Sequence, residues 1–426
     1  MSSSGWTISR SLPSASTPGQ PDRDGLQPRK EPVVRRTLPQ LSNWLLVLPL
    51  FLFSAGIFVA PIALMLLRSV QDPELAAAFP RTAAELARWD GQDLPRPEAM
   101  STFITELRGV RGTDRISFAA NRLNADISGF RSMLLRTARM LPQADGGDAA
   151  ETLRRIDARW GERSTWTAMR RASGPVTDYF LLAALDLQRD DDGAVAAVPA
   201  ERAVFVGVFL RTLWVSILVT GFCLLLGYPL AYLLASLPAR YANPLLVLVL
   251  IPFWTSVLVR TTAWIVLLQR DGLVNGLLRR IGLIEQPLTL IYNRTGVLIA
   301  MVHVLLPLMI LPLYSVMKGI GRAPMLAAMS LGARPFEAFL RVYLPQSRAG
   351  IGAGCLLVFI SALGYYVTPE LIGGGGDQMI SYFIAFYTNR TTNWGLAGAL
   401  SLILLLATGL LYIAYARLSR ATGPAR

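Results

Sequence analysis

Leu326-Ala327-Ala328-Met329-Ser330-Leu331-Gly332, followed after nine residues by Val342-Tyr343-Leu344-Pro345, interrupts the chain between two long hydrophobic runs. Its pattern predicts a small-residue helix, a glycine break and a second short helix closed by proline. Alanine side chains let helices approach closely, and Gly332 frees the backbone for the sharp turn between them. Lys318, Arg322, Arg334, Arg341 and Arg348 surround the stretch with positive charge. It reads as a compact basic knob that another protein receives.

Working outward, the flanking runs place the knob on a membrane protein. Of the 426 residues 53% are hydrophobic and only 16% charged, the mean hydropathy is +0.42, and several apolar runs reach the roughly 20 residues needed to cross a hydrocarbon core. A soluble globule of this size has no core able to bury them. The formal charge of +13 reads as membrane topology and not as nucleic-acid affinity, because no basic patch is interleaved with exposed aromatics. Cys223 and Cys355 both fall in apolar runs, so no disulfide framework is indicated.

Six spans are expected, at 44–67, 207–236, 244–268, 295–318, 349–372 and 394–416. Arg29, Lys30, Arg35 and Arg36 precede the first, and retention of positive charge inside puts that tail in the cytoplasm. An even number of spans returns Arg417, Arg420 and Arg426 to the same side, and the same threading leaves the 318–348 loop inside. Residues 1–40, rich in Ser, Pro, Gly and Arg, read as disordered. The first apolar run starts too far from Met1 for a cleavable signal peptide and is long enough to remain as a span.

Residues 68–203 are far longer than a connecting loop. Apolar residues recur at helical spacing in Met100–Leu107 and in Ile116–Leu141, which predicts a small helical domain, placed outside by the threading. Two roles fit it: contact with a substrate-binding protein, or stabilisation without a direct role. Asp190-Asp191-Asp192 beside Gly193 reads as a solvated turn and not as a metal site.

The spacing across 326–345 resembles the EAA loop of ABC import permeases, whose pattern is Glu-Ala-Ala, three residues, Gly, nine residues, then Ile-x-Leu-Pro. Ala327, Ala328, Gly332, Leu344 and Pro345 match, Val342 stands for the isoleucine, and Leu326 departs from the glutamate. The runs Arg211–Trp214, Leu226–Tyr232, Pro252–Ser256, Val259–Trp264, Leu306-Pro307, Leu311–Tyr314 and Ala362–Pro369 look like the spermidine/putrescine-type permeases of that superfamily.

The resemblance implies an all-α membrane protein with six transmembrane helices in the type I ABC importer permease fold. A helical extracytoplasmic insertion lies between the first and second spans. It implies a cytoplasmic tail at 1–43, a first span at 44–67, a periplasmic insertion at 68–203, a permease core at 204–418 with a coupling loop at 319–348, and a second tail at 419–426. The expected home is the bacterial inner membrane, multi-pass, with both termini cytoplasmic. Expected partners are a second homologous permease subunit, an ABC ATPase dimer, a periplasmic substrate-binding protein and the lipid bilayer, with no nucleic acid. The chain lacks a Gly-x-x-x-x-Gly-Lys-Ser/Thr phosphate loop. It is therefore expected to be a transport subunit and no enzyme, with no catalytic residue, metal or cofactor of its own, and with ATP and Mg held by the partner ATPase.

On this resemblance Ala327, Ala328, Leu331, Gly332, Ala333, Arg334, Phe336, Glu337 and Pro345 form the ATPase-coupling set, with Glu337 or Arg334 carrying polar contacts in place of the missing glutamate. Ionisable groups near spans usually face protein or water, and aromatic faces attract cations. Candidate path residues are therefore Trp254, Arg260, Trp264, Tyr365, Tyr366 and Glu370, with Arg211 and His303 meeting the same description. Structural readings stand beside these: His303 as a helix-packing residue, Arg260 as a snorkelling cation or an ion-pair partner of Glu370, and the aromatics as an interfacial belt. Asp271 and Asp377 are further acids at the outer ends. Carboxylates are few for a polyamine, so an amino-acid-like amine is a comparable cargo. Pro229, Pro252, Pro307 and Pro312 are candidate bends. Two other functional classes remain open. A membrane-anchored sensor would work through 68–203. An ion-coupled secondary transporter would need midplane carboxylates, and none is obvious.

Overall fold

The computed structural model describes residues 40–141, 148–190 and 193–421, with side chains described from 47 to 417. The expectations for the tails 1–39 and 422–426, and for Asp191 and Asp192, lie outside the described residues. The chain divides into two units, Met1–Ile57 and Phe58–Arg426. In the first, helix Gln40–Ser54 carries Leu50, Phe51, Leu52 and Phe53, all exposed. A helix satisfies its own backbone groups, so apolar side chains around it suit hydrocarbon and not water.

Among the described residues four helices are long and apolar enough to cross a membrane: Val47–Val70, Phe205–Ser236, Arg294–Ile320 and Trp394–Arg417. Counting each of two bent pairs as one span raises the number to six. The expected span at 244–268 is broken: helix Ala239–Trp254 meets the segment Val257–Arg280, which begins as helix Val257–Leu268, at 98°. Pro252 has no N–H to return to the preceding turn, and Thr255 and Ser256 are extended, so the helix restarts in a new direction. The expected span at 349–372 ends at Leu363, capped by Gly364. After Tyr365 and Tyr366 the chain resumes as the short helix Val367–Ile372.

In the second unit, helices Phe205–Ser236, Arg294–Ile320 and Arg348–Leu363 bury a shared core that includes Val219, Cys223, Leu305, Met309, Leu313 and Val358. Lipid supplies no hydrophobic force between helices, so close packing must hold them together. Gly354 makes that approach possible: a Cβ there would lie 2.7 Å from Met309 Sδ and 3.1 Å from the Met309 carbonyl. Pro307 and Pro312 lie inside the 27-residue helix Arg294–Ile320, which continues through both.

Between the first two long spans, helices from Glu74 to Ala184 enclose a second core. Met100, Phe103 and Leu107 line one face of helix Pro97–Gly109, and Ile116, Ala119, Ala120 and Leu123 one face of Asp114–Asp126. Phe103 packs against Phe79, Trp160 and Trp166 at ring-centroid distances of 5.3, 5.0 and 5.7 Å. Both buried indoles find acceptors: Trp160 Nε1 donates to Thr137 Oγ1 and Trp166 Nε1 to the Trp160 carbonyl, each at 2.9 Å. An antiparallel strand pair, Leu187–Arg189 with Val195–Ala197, follows.

This segment joins the long helices at three places. Thr177 N donates to the Val70 carbonyl at 2.9 Å, which ties the segment to the end of the first span. Phe180 and Ala184 pack with Val208, Ile380, Leu396 and Leu400. Asp186, held at φ 56°, accepts from the backbone N–H groups of Val204, Phe205 and Val206, so its charge caps the start of helix Phe205–Ser236. Beside the first joint lies a buried charge cluster. Arg122 Nε donates to Asp72 Oδ2 at 2.7 Å, Arg122 Nη1 lies 3.2 Å from Asp126 Oδ2, and the guanidinium sits 3.9 Å over the Tyr179 ring.

Burial, opposed by Arg122 and reinforced by the neighbouring Glu74 carboxyl, pushes the Asp72 carboxyl up to about 7. A carboxyl whose folded pKa exceeds its unfolded one stabilises the fold at low pH and loses that contribution as pH rises through the folded value. The thermal midpoint of this segment is therefore expected to fall as pH rises from about 4 to about 7 and to level off above that. In Asp72→Asn that slope should flatten, and an unchanged slope in a scan followed by tryptophan fluorescence would refute the assignment.

Candidate coupling element and substrate path

Helix Ala323–Ser330 starts with Pro324 in its first turn and ends in a glycine-dependent turn. Gly332 stands at φ +93°, its N–H bonds to the Met329 carbonyl at 3.0 Å, and Ala333 N–H reaches back to the Ala328 carbonyl at 3.1 Å. These paired bonds are the Schellman arrangement, which satisfies the last carbonyls of a helix and needs a left-handed residue at this position. The chain then enters helix Pro335–Ala338, passes through a π-turn at Phe339–Tyr343 and the helical turn Leu344–Gln346, and meets helix Arg348–Leu363 at a 62° bend.

The turn presents apolar side chains to solvent: Leu331 is 90% exposed, Phe336 73% and Leu326 55%. Ala327, Gly332 and Arg334 are exposed beside them, whereas Ala328, Ala333, Glu337 and Pro345 are half-buried. Of the two residues expected to replace the missing glutamate, Glu337 is engaged within the chain, 3.1 Å from Arg341. Leu326 at the glutamate position extends the apolar surface. An exposed patch of this kind rimmed by arginines fits a protein cleft.

Behind the turn lies an aromatic seat that links it to the membrane helices. Tyr232 packs edge-on against Tyr343 at 5.1 Å and Phe339 at 5.7 Å, and Tyr228 packs against Phe339 at 6.0 Å. The Tyr228 hydroxyl and Ser347 Oγ share a hydrogen bond at 3.0 Å, and Arg322 Nη2 donates to the Ser236 carbonyl at 2.8 Å. These rings and hydrogen bonds connect the knob to helix Phe205–Ser236. Tyr228 and Tyr232 were absent from the sequence-derived set, although both lie in the quoted run Leu226–Tyr232.

The candidate path residues are only partly brought together. Trp264 Nε1 donates to His303 Nδ1 at 3.2 Å with the rings 5.4 Å apart, a contact between helices of the kind the packing reading of His303 expects. Thr261 and Thr368 hydroxyls, 3.3 Å apart, join the helix carrying Arg260 and Trp264 to the helix carrying Glu370. Among the described residues no ion pair links Arg260 to Glu370, and Arg260 Nε and the Tyr365 hydroxyl are buried without hydrogen-bond partners. Tyr366 and Glu370 are exposed, and Trp254, 75% exposed, ends its helix at the 98° bend. Arg211 donates to the Gln378 carbonyl at 3.2 Å, and Asp377 pairs with Arg294 at 3.2 Å, so each is engaged within the chain.

A family profile described as "Binding-protein-dependent transport system inner membrane component" matches residues 227–424. The spermidine/putrescine transport system permease protein PotB of Escherichia coli is 35% identical over 217 residues, which cover 51% of this chain and 79% of that protein. Its namesake in Haemophilus influenzae is 32% identical over 252 residues, covering 58% and 88%. Among solved structures, the crystal structure of a bacterial alginate ABC transporter in complex with an alginate pentasaccharide-bound periplasmic protein aligns over 51% of this chain and 78% of its own, with a TM-score of 0.43 and 18% identity.

Proposed function

The chain belongs to the binding-protein-dependent transport system inner membrane components, as an ABC permease of the spermidine/putrescine type, and on that premise we propose that it forms half of a polyamine translocation path driven through residues 323–346. It is a transport subunit and not an enzyme; ATP hydrolysis belongs to a separate subunit. A second permease subunit completes the path, an ATPase dimer receives the exposed turn, and a periplasmic binding protein delivers cargo. Both termini lie in the cytoplasm, and 68–203 lies outside.

The observation that carries the coupling role is the pairing of an exposed apolar turn at Leu331 and Phe336 with the aromatic seat beneath it. The cargo assignment rests on the PotB likeness. It is supported by Trp264, Tyr365 and Tyr366 as cation-attracting faces and by Glu370 as the exposed carboxylate among the candidate path residues.

The test is uptake of labelled spermidine and putrescine by vesicles containing the co-purified complex, with ATP inside and the binding protein outside. Glu370→Gln should leave ATPase recruitment intact and reduce polyamine uptake about tenfold, the scale of a lost charge-assisted contact. Wild-type uptake of neither polyamine in a complex that transports another amine would overturn the cargo assignment. Uptake persisting without an ATPase would favour an ion-coupled carrier.

A further inference from the structure

A cavity of about 650 Å³ opens where the end of the first span, the inserted helices and the start of helix Trp394–Ala421 converge. Its lower wall is Pro61, Leu64 and Met65, residues of an apolar membrane helix. Above them stand Arg68 and Arg115, both exposed and with no ion pair to their guanidinium groups among the described residues. Trp394 and Glu74 also line it. Glu74 Oε2 is buried and accepts no hydrogen bond from a described donor. Its polar neighbour is the Asp72 carboxyl, and the two share a hydrogen bond when one of them carries a proton and donates it to the other.

These groups match the parts of a lipid: apolar span residues for an acyl chain, two guanidinium groups for a phosphate and a carboxyl for a headgroup donor, with an indole of the kind found where aromatics meet the headgroup layer. Arg68 at the span end and Arg115 from the inserted helix Asp114–Asp126 offer two guanidinium groups to a phosphodiester, and the volume lies within the range of small-molecule sites. The carboxylate on the inner wall disfavours a purely anionic headgroup and suits one that carries N–H donors.

We propose that this cavity binds a phospholipid with a primary-amine headgroup, its phosphate between Arg68 and Arg115, its ammonium at Glu74 and an acyl chain along Leu64 and Met65. The bound lipid wedges the inserted segment against the first and last spans. The proposal rests on the membrane reading above, with 68–203 outside, but not on the cargo.

The test is native mass spectrometry of the delipidated full-length complex, titrated separately with phosphatidylethanolamine, phosphatidylcholine, phosphatidylglycerol and acyl-free glycerophosphoethanolamine. Phosphatidylethanolamine should be retained best, and each of Arg68→Gln and Arg115→Gln should weaken it about fivefold, the worth of one basic residue against a lipid phosphate. Glu74→Gln should remove the preference over phosphatidylcholine while leaving total lipid binding. Equal retention of all three lipids, or no change in the arginine variants, would mean annular lipid only and would overturn the site. Binding of the acyl-free compound as tightly as the lipid would overturn the lipid as its source. Both arginines are exposed, so the variants should remain folded, and polyamine uptake measured in parallel separates failure of the lipid site from failure of the transport assignment.

Discussion

Gly332→Arg should abolish ATPase recruitment and reduce uptake at least about tenfold while leaving the chain inserted and folded. At φ +93° a residue with a Cβ incurs on the order of 1–2 kcal/mol of backbone strain. A Cβ at Gly332 meets nothing within 4 Å, so no clash disturbs the interior. The strain is relieved by opening the two return bonds to Met329 and Ala328, which turns Leu331 and Phe336 away from their common surface. The added guanidinium then places a further charge at the tip of the turn. Gly332→Ala should show the strain alone and lose less. Detergent-stable, correctly inserted Gly332→Arg that still recruits ATPase and transports would refute the role of this turn.

Arg122→Leu should destabilise the inserted segment by about 3–5 kcal/mol, because removing one partner of a buried ionic cluster leaves uncompensated charge. Asp72 is fully buried, the Asp126 side chain is 6% exposed, and both face Arg122. The urea midpoint should be followed by the fluorescence of Trp160 and Trp166, buried in the adjoining core. Adding Asp126→Asn to Arg122→Leu should recover part of the loss, since it removes the other carboxylate that faces Arg122. A loss below about 1 kcal/mol in Arg122→Leu would place the cluster among ion pairs that contribute little.

Local patterns were legible in the sequence and long-range ones were not. The glycine-terminated helix could be read because its hydrogen bonds span only residues 328–333, and residue type decides left-handed backbone. The apolar runs announced a helical membrane protein, since hydrocarbon demands continuous stretches of apolar residues. Hydropathy counts residues and so reads 244–268 as one span, whereas Pro252, a candidate bend because its backbone lacks a donor, marks where the 98° break falls.

Among site residues, Arg211 and Asp377 looked available for cargo because each is polar beside a span. Their partners, the Gln378 carbonyl and Arg294, lie 167 and 83 residues away in sequence. The aromatic seat failed to appear for the same reason: Tyr228 and Ser347 are separated by 119 positions, and no periodicity links them. The Asp72–Arg122 pair and the Asp186 cap likewise depend on tertiary placement.

The central claim, that this turn receives the ATPase stroke, is most directly tested by photo-crosslinking from position 331. A benzophenone-bearing residue replacing Leu331, which is 90% exposed, should crosslink to the ATPase subunit in the assembled complex. The same probe at Leu225, exposed on helix Phe205–Ser236, should not. A crosslink from Leu331 whose yield changes between nucleotide-free and ATP-bound states is the predicted result. An ATPase that co-purifies and drives uptake without ever crosslinking to position 331 would contradict the account.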